Sequence, residues 1–209
     1  MDLFDLTGKK AIVTGSCQGL GRSIAEGLAQ AGASVCLMDL NPVCAAVARE
    51  MSAGGLAFEG VTADLTDRKD LERGFLEAVG KLGGLDILVN NAGMQVRGDA
   101  EEIELSRWDK LVELNITAVF ELSQLAARQM IPQGGGKIIN VASMLSFFGG
   151  FRCSPYAASK GAVAQLTKAC SNEWAGKGIN VNAIAPGYMD TPLNTTIIND
   201  PERNREITL

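Results

Sequence analysis

Six short runs rich in β-branched and other apolar residues punctuate this chain, and between them apolar positions recur at helical spacing. The runs cover 10–14, 34–38, 57–61, 86–89, 137–141 and 179–184, and most hold few polar positions. A strand wetted on one face would alternate instead, so near-continuous apolar strands predict burial on both sides. Helical periodicity falls near 20–31, 42–53, 67–80, 106–130 and 155–175. Strand and helix alternating in this way predict an α/β domain, a parallel sheet with helices on both faces. Ser154 followed by Pro155 marks a helix start, with a capping hydroxyl and a proline in the first turn. Ser106 and Asp109 read as a capping box with Asp in place of Glu. No repeat, low-complexity tract or linker interrupts the 209 residues, which suit one domain over 1–209.

Composition narrows the function classes. The net charge is −5 with both signs interspersed, and no basic stripe exists to neutralise phosphates in series, so no nucleic-acid partner is expected. The opening Met1-Asp-Leu-Phe-Asp5 lacks the basic start and apolar core of a signal peptide. No apolar run approaches the ~20 residues that span a bilayer. A cytoplasmic chain without a membrane partner is expected. Cysteines 17, 36, 44, 153 and 170 form an odd set with no C-x-x-C pair, which predicts reduced, packed thiols. Cys17 is the expected exception, because it lies in a turn at a helix N-terminus, where thiolates are stabilised. The chain has no histidine, which removes Ser-His-Asp and Cys-His catalysis and most zinc sites; no metal is expected.

Proton transfer near neutral pH must then come from a side chain whose pKa has been moved. Tyr156 and Lys160 stand four residues apart in a helical segment, on one face. Free tyrosine titrates near pH ~10, so acting as a base at neutrality requires roughly 4 kcal/mol of help. One ammonium about 4 Å away at an effective dielectric near 20 supplies energy of that size. Ser143 ends the fifth apolar run, where a hydroxyl can polarise a carbonyl. After the first run comes a glycine-rich turn, Thr14-Gly-Ser-Cys-Gln-Gly-Leu-Gly21, leading into a helix. Gly15, Ser16, Gln18, Gly19, Leu20 and Gly21 thus sit where a backbone turns sharply and a helix N-terminus faces a pyrophosphate. Asp39 closes the second run, where a carboxylate accepts ribose hydroxyls and repels a 2′-phosphate, which predicts NAD over NADP. Arg22 is the one nearby cation that favours the phosphorylated form. Asp64, followed by Leu65, comes after the third run, where a carboxylate can hydrogen-bond an adenine amino group. Asn91, Ala92 and Gly93 follow the fourth, where small residues let the backbone pass beneath a ribose.

Together these residues resemble the short-chain dehydrogenase/reductase family in its Rossmann-type, single-domain, doubly wound form. The resemblance runs from about Leu6 to Pro192 and rests on the glycine turn, Asn90-Asn-Ala-Gly93, Asn115, Ser143, Tyr156-x-x-x-Lys160 and Pro186-Gly187. It implies a tetrad. Tyr156 is the acid–base group, Lys160 holds the nicotinamide ribose and lowers the tyrosine's pKa, Ser143 orients the substrate oxygen, and Asn115 anchors a water linking Lys160 to solvent. Pro186, Gly187, Met189 and Thr191, after the sixth run, are implied to hold the carboxamide and pyrophosphate. The implied activity is hydride transfer between a nicotinamide cofactor and a secondary alcohol or ketone, in a homo-oligomer.

The stretches 142–147, 149–152 and 183–189 are similar to the sugar-acid branch of that family, the 2-deoxygluconate 3-dehydrogenase and gluconate 5-dehydrogenase type. A small sugar acid or polyol is the implied substrate. Arg97 and Arg152 are candidates to pair with its carboxylate, with Met144 and Tyr188 beside it. The family pattern continues with another helix and a last strand, so the sheet is expected to lack its C-terminal strand. The competing expectation is a catalytically idle dinucleotide-binding protein that acts by association or redox sensing.

Overall fold

The structure is a computed structural model that describes residues 3–191 and Asn199. In chain order it runs β1 (Lys10–Thr14), α1 (Gly19–Gln30), β2 (Ser34–Asp39), α2 (Cys44–Ser52), β3 (Phe58–Thr62), α3 (Arg68–Leu82), β4 (Ile87–Asn90), α4 (Leu105–Val112), α5 (Ala118–Met130), β5 (Gly136–Val141), α6 (Leu145–Phe148), α7 (Ser154–Trp174) and β6 (Ile179–Ile184). All six strands are parallel, in the order β3-β2-β1-β4-β5-β6. The α/β fold is Rossmann-like and doubly wound.

Side-chain alternation along each strand divides the core into two layers. Ile12, Met38, Leu88 and Ile138 point to one face and pack on α3, α5 and α7 through residues such as Phe75, Leu122 and Trp174. Ala11, Val13, Leu37 and Val89 point to the other and pack on α1 and α2 through Ala25, Ala29 and Ala48. Successive residues of one strand therefore serve opposite layers. The central strands β1, β2 and β4 are therefore buried almost throughout, as the sequence pattern predicts, whereas the edge strands β3 and β6 carry exposed polar positions such as Glu59, Asn180 and Asn182.

Strand order reverses between β1 and β4, the place where open α/β sheets bind ligands. Thr14 stitches this seam. Its Oγ1 accepts the Asn91 and Ala92 backbone N–H groups at 3.0 Å each, while the Asn91 side chain donates to the Thr14 and Gly15 carbonyls at 2.9 and 3.0 Å. A Cβ on Gly15 would lie 2.8 Å from the Ala92 Cα, and one on Gly21 would lie 2.2 Å from the Gly15 carbonyl oxygen. Only glycine permits this packing of turn, strand and helix.

Three local expectations are corrected. Continuous periodicity over 106–130 hides a break, a turn of π-helix over Glu113–Thr117 that separates α4 from α5. Helix α4 starts at Leu105 after Glu104 with no side-chain cap, so Ser106 and Asp109 form no capping box. Ser154 lies inside the first turn of α7, with Cys153 in the cap position and Pro155 beside it. The expectation about the C-terminal strand lies outside the described residues, among which β6 is an edge of the sheet.

Candidate active site

A cleft of about 830 Å³ runs along the carboxyl ends of the strands, from the glycine turn to α7. Gly15, Gln18, Gly19, Leu20 and Gly21 line one end, with Asp39, Asp64 and Leu65 beyond them. Asn91, Ala92 and Gly93 form the middle. Ser143, Met144, Tyr156, Lys160, Pro186, Gly187, Tyr188, Met189 and Thr191 surround the other end, with Arg97. Residues scattered over most of the chain meet here because every strand ends on this edge.

Each predicted side chain has a distinct setting. Ser16 lies under the turn, fully buried, donating to the Val13 carbonyl at 2.7 Å. Asp39 accepts the Cys17 and Asn41 backbone N–H groups at 2.9 and 3.0 Å, which fixes its carboxylate against the glycine turn. Asp64 accepts from the Thr66 N–H and hydroxyl at 2.9 and 2.7 Å. Arg22 is outside the cleft lining, held by Glu26 and Glu50 at 3.2 and 3.1 Å. The N-terminus of α1 has no side-chain cap and no acidic residue in its first turn. Its N–H groups and positive end therefore suit a phosphate.

At the other end, Ser143 stands just past β5, its Oγ accepting the Leu145 N–H at 3.1 Å and its hydroxyl placed to lower the pKa of Tyr156. Lys160 is 5% exposed, its Nζ 5.6 Å from the Tyr156 ring centroid and donating to the Val141 carbonyl at 2.6 Å. Burial pulls the Lys160 ammonium down to about 8. Asn115 sits on the π-helical turn. Its Oδ1 accepts the Met94 N–H at 2.9 Å, and its Nδ2 donates to the Met94 carbonyl and the Ser159 hydroxyl at 3.0 and 3.1 Å. The Asn115 side chain thus braces the loop after β4 against α7. π-Helical turns gather at functional sites, and this one faces Asn115 inward at 1% exposure.

The expected direction of the tyrosine shift is corrected. Burial raises the Tyr156 pKa, and the counteracting influences are the Ser143 hydrogen bond and the Arg97 charge. Lys160 Nζ stands 5.6 Å from the Tyr156 ring centroid, and the same burial disfavours its own charge.

Two other expectations fail. The Cys17 thiol is raised well above its ordinary range by burial, with Cys44 and Asp39 adding to the effect, so it is no activated thiolate. All five cysteines are buried and reduced. Arg152 does not line the cleft; it pairs with Asp99 at 3.2 Å from a left-handed backbone, φ 54°. Sequence reading missed Leu40, Thr66, Gln95 and Phe148, which line the cleft without belonging to any motif. Gln95 accepts from Arg97 Nε at 2.8 Å and so aims the guanidinium.

Among the described residues no group of acidic, cysteine or histidine side chains can hold a metal, and no helix is long and apolar enough to cross a membrane. A family model described as short chain dehydrogenase matches residues 9–202. The 2-dehydro-3-deoxy-D-gluconate 5-dehydrogenase of Dickeya dadantii is 46% identical over 99% of this chain and 82% of its own length. The gluconate 5-dehydrogenase of Gluconobacter oxydans is 39% identical, covering 96% of this chain and 79% of its own. A gluconate 5-dehydrogenase of Burkholderia cenocepacia, solved with NADP and tartrate, superposes with a TM-score of 0.92 at 39% identity, over 96% of this chain and 79% of its own.

Proposed function

This chain belongs to the short-chain dehydrogenase family and is an oxidoreductase; from that premise we propose that it interconverts a secondary alcohol and a ketone on a gluconate- or deoxygluconate-type sugar acid. The observation that carries the substrate reading is Arg97. It lines the same cleft as Tyr156, lies close enough for its charge to act on the phenol, and is oriented by Gln95. A guanidinium so placed binds a carboxylate bidentately. The relatives named for gluconates and deoxygluconates support the same reading.

The cleft suits a nicotinamide dinucleotide along its length: an uncapped helix N-terminus faces it, glycines clear the turn, and Asp39 stands at the far end. When bound, that cofactor supplies the carbon that gives or receives the hydride. In oxidation Tyr156 accepts the alcohol proton, and in reduction it returns the proton to the carbonyl oxygen. Ser143 holds the substrate oxygen, and Lys160, fixed by Val141, keeps a positive group beside the phenol. The fixed Asp39 carboxylate favours NAD, since it repels a 2′-phosphate. The NADP in the Burkholderia relative favours the second reading, a phosphorylated cofactor. The named activities of the relatives disfavour an idle binding protein. We also assign the chain to a homo-oligomer, a reading supported by the apolar groove between α5 and α7, where Phe120 and Ile131 are exposed.

The test is a substrate panel. Arg97→Met should raise KM for a sugar acid at least about tenfold and leave a neutral polyol within about twofold, whereas Arg152→Met should change neither. Equal effects on acid and polyol refute the carboxylate reading.

A further inference from the structure

We propose that Ser146 is a positioning residue that fastens Ser143 to the helix carrying Tyr156 and Lys160. Ser143 lies at the end of β5, while Tyr156 and Lys160 lie on α7, eleven residues and a glycine-bearing loop further on. One polar tie between them is the Lys160 Nζ bond to the Val141 carbonyl at 2.6 Å, which leaves Ser143 itself unfastened. Ser146 closes the gap with one hydroxyl. Its Oγ accepts the Ser143 backbone N–H at 3.2 Å and donates to the Lys160 carbonyl at 2.7 Å. The Ser146 N–H returns a bond to the Ser143 carbonyl at 2.9 Å, so Ser143 and Ser146 grip each other reciprocally. The Lys160 carbonyl has a second lone pair for this bond besides its helical one. The Leu145 N–H to Ser143 Oγ bond, at 3.1 Å, completes the brace and sets the catalytic hydroxyl's direction.

The consequence is directional. Burial raises the pKa of the Tyr156 phenol, and the Ser143 hydroxyl acts against it. Removing the Ser146 hydroxyl takes away one of the two polar ties between this segment and α7 and loosens the Ser143 hydroxyl beside the phenol. The phenol should become harder to ionise, and the reacting groups should fall out of alignment. Ser146 is simply a half-buried serine three residues after Ser143, in a helix of one turn.

The proposal rests on the roles given above to Ser143, Tyr156 and Lys160, and its test needs no knowledge of the substrate. The chain has two tyrosines, so in a Tyr188→Phe background the near-ultraviolet absorbance of phenolate reports Tyr156 alone. Titrated with oxidised nicotinamide cofactor bound, Ser146→Ala should move that phenol upward by about one pH unit, the scale of one neutral hydrogen bond. Ser146→Thr, which keeps the hydroxyl, should restore the parent titration. With any substrate that is oxidised, kcat of Ser146→Ala should fall roughly tenfold to hundredfold, with the low-pH limb of its profile displaced the same way and cofactor affinity unchanged. Ser146→Cys, of similar shape and weaker bonding, replaces the alanine variant if that one does not fold. An unmoved phenolate titration overturns the proposal, as does equal loss in the alanine and threonine variants. A normal Ser146 result with no sugar acid turned over would instead count against the substrate reading alone.

Discussion

The Lys160 ammonium donates to the Val141 carbonyl at 2.6 Å, in a setting that leaves the residue 5% exposed. Without a carboxylate to offset burial, the charge is costly, and the group falls to about 8 from 10.5. The unfolded chain regains the ordinary value. Between about pH 8 and 10.5 the unfolded state therefore binds more protons than the folded state, and stability rises with pH through that window. Below pH 8 the cost is present in full. Urea unfolding of the wild type and Lys160→Met, compared at pH 8 and pH 10, should show the wild type gaining on the variant. The gain is on the order of 2 kcal/mol over that interval. A constant difference would mean that Lys160 titrates normally.

The glycines of α1 separate function from propensity. A Cβ on Gly21 would meet the Gly15 carbonyl oxygen at 2.2 Å and Asn91 Nδ2 at 2.4 Å, whereas a Cβ on Gly27, in the same helix, meets nothing within 4 Å. Gly21→Ala should cost about 3 kcal/mol or more and abolish cofactor binding. Gly27→Ala should raise stability by about 0.5–1 kcal/mol. Thermal midpoints and NADH fluorescence titration check both.

Asp39 sets cofactor choice through charge. Asp39→Asn keeps acceptor capacity toward the Cys17 N–H while removing the repulsion of a 2′-phosphate. The ratio of kcat/KM for NAD over NADP should fall about tenfold or more, roughly 1.4 kcal/mol. An unchanged ratio would place the discrimination elsewhere.

The thiols should be inert. All five cysteines are buried, and burial raises the Cys17, Cys36, Cys44 and Cys170 thiols. A disulfide reagent at pH 8 should label less than one equivalent in the native protein over minutes and five in denaturant. Rapid labelling of one native thiol would point to an activated Cys17.

Much of this was legible in sequence because the signals were local. Apolar strands of matching length fixed the sheet, and the spacing of Gly15, Gly19 and Gly21 placed the turn at its first carboxyl end. The rest depended on partners far apart in the chain. Arg152 reads as a free cation until the fold brings Asp99 to it. The break at Asn115 is invisible because buried positions continue across it at three- and four-residue spacing, from Leu111 to Asn115, Ala118 and Leu122. The pKa of Tyr156 follows mainly from how deeply its phenol is buried, which the four-residue spacing to Lys160 does not encode.

The most direct measurement is turnover of Tyr156→Phe on whichever sugar acid the wild type oxidises, with NADH affinity taken on the same protein. Loss of the phenol proton should reduce kcat by at least about a hundredfold, with the cofactor dissociation constant within about threefold of wild type. Turnover near the wild-type rate in that variant would contradict the assignment of the acid–base role to Tyr156.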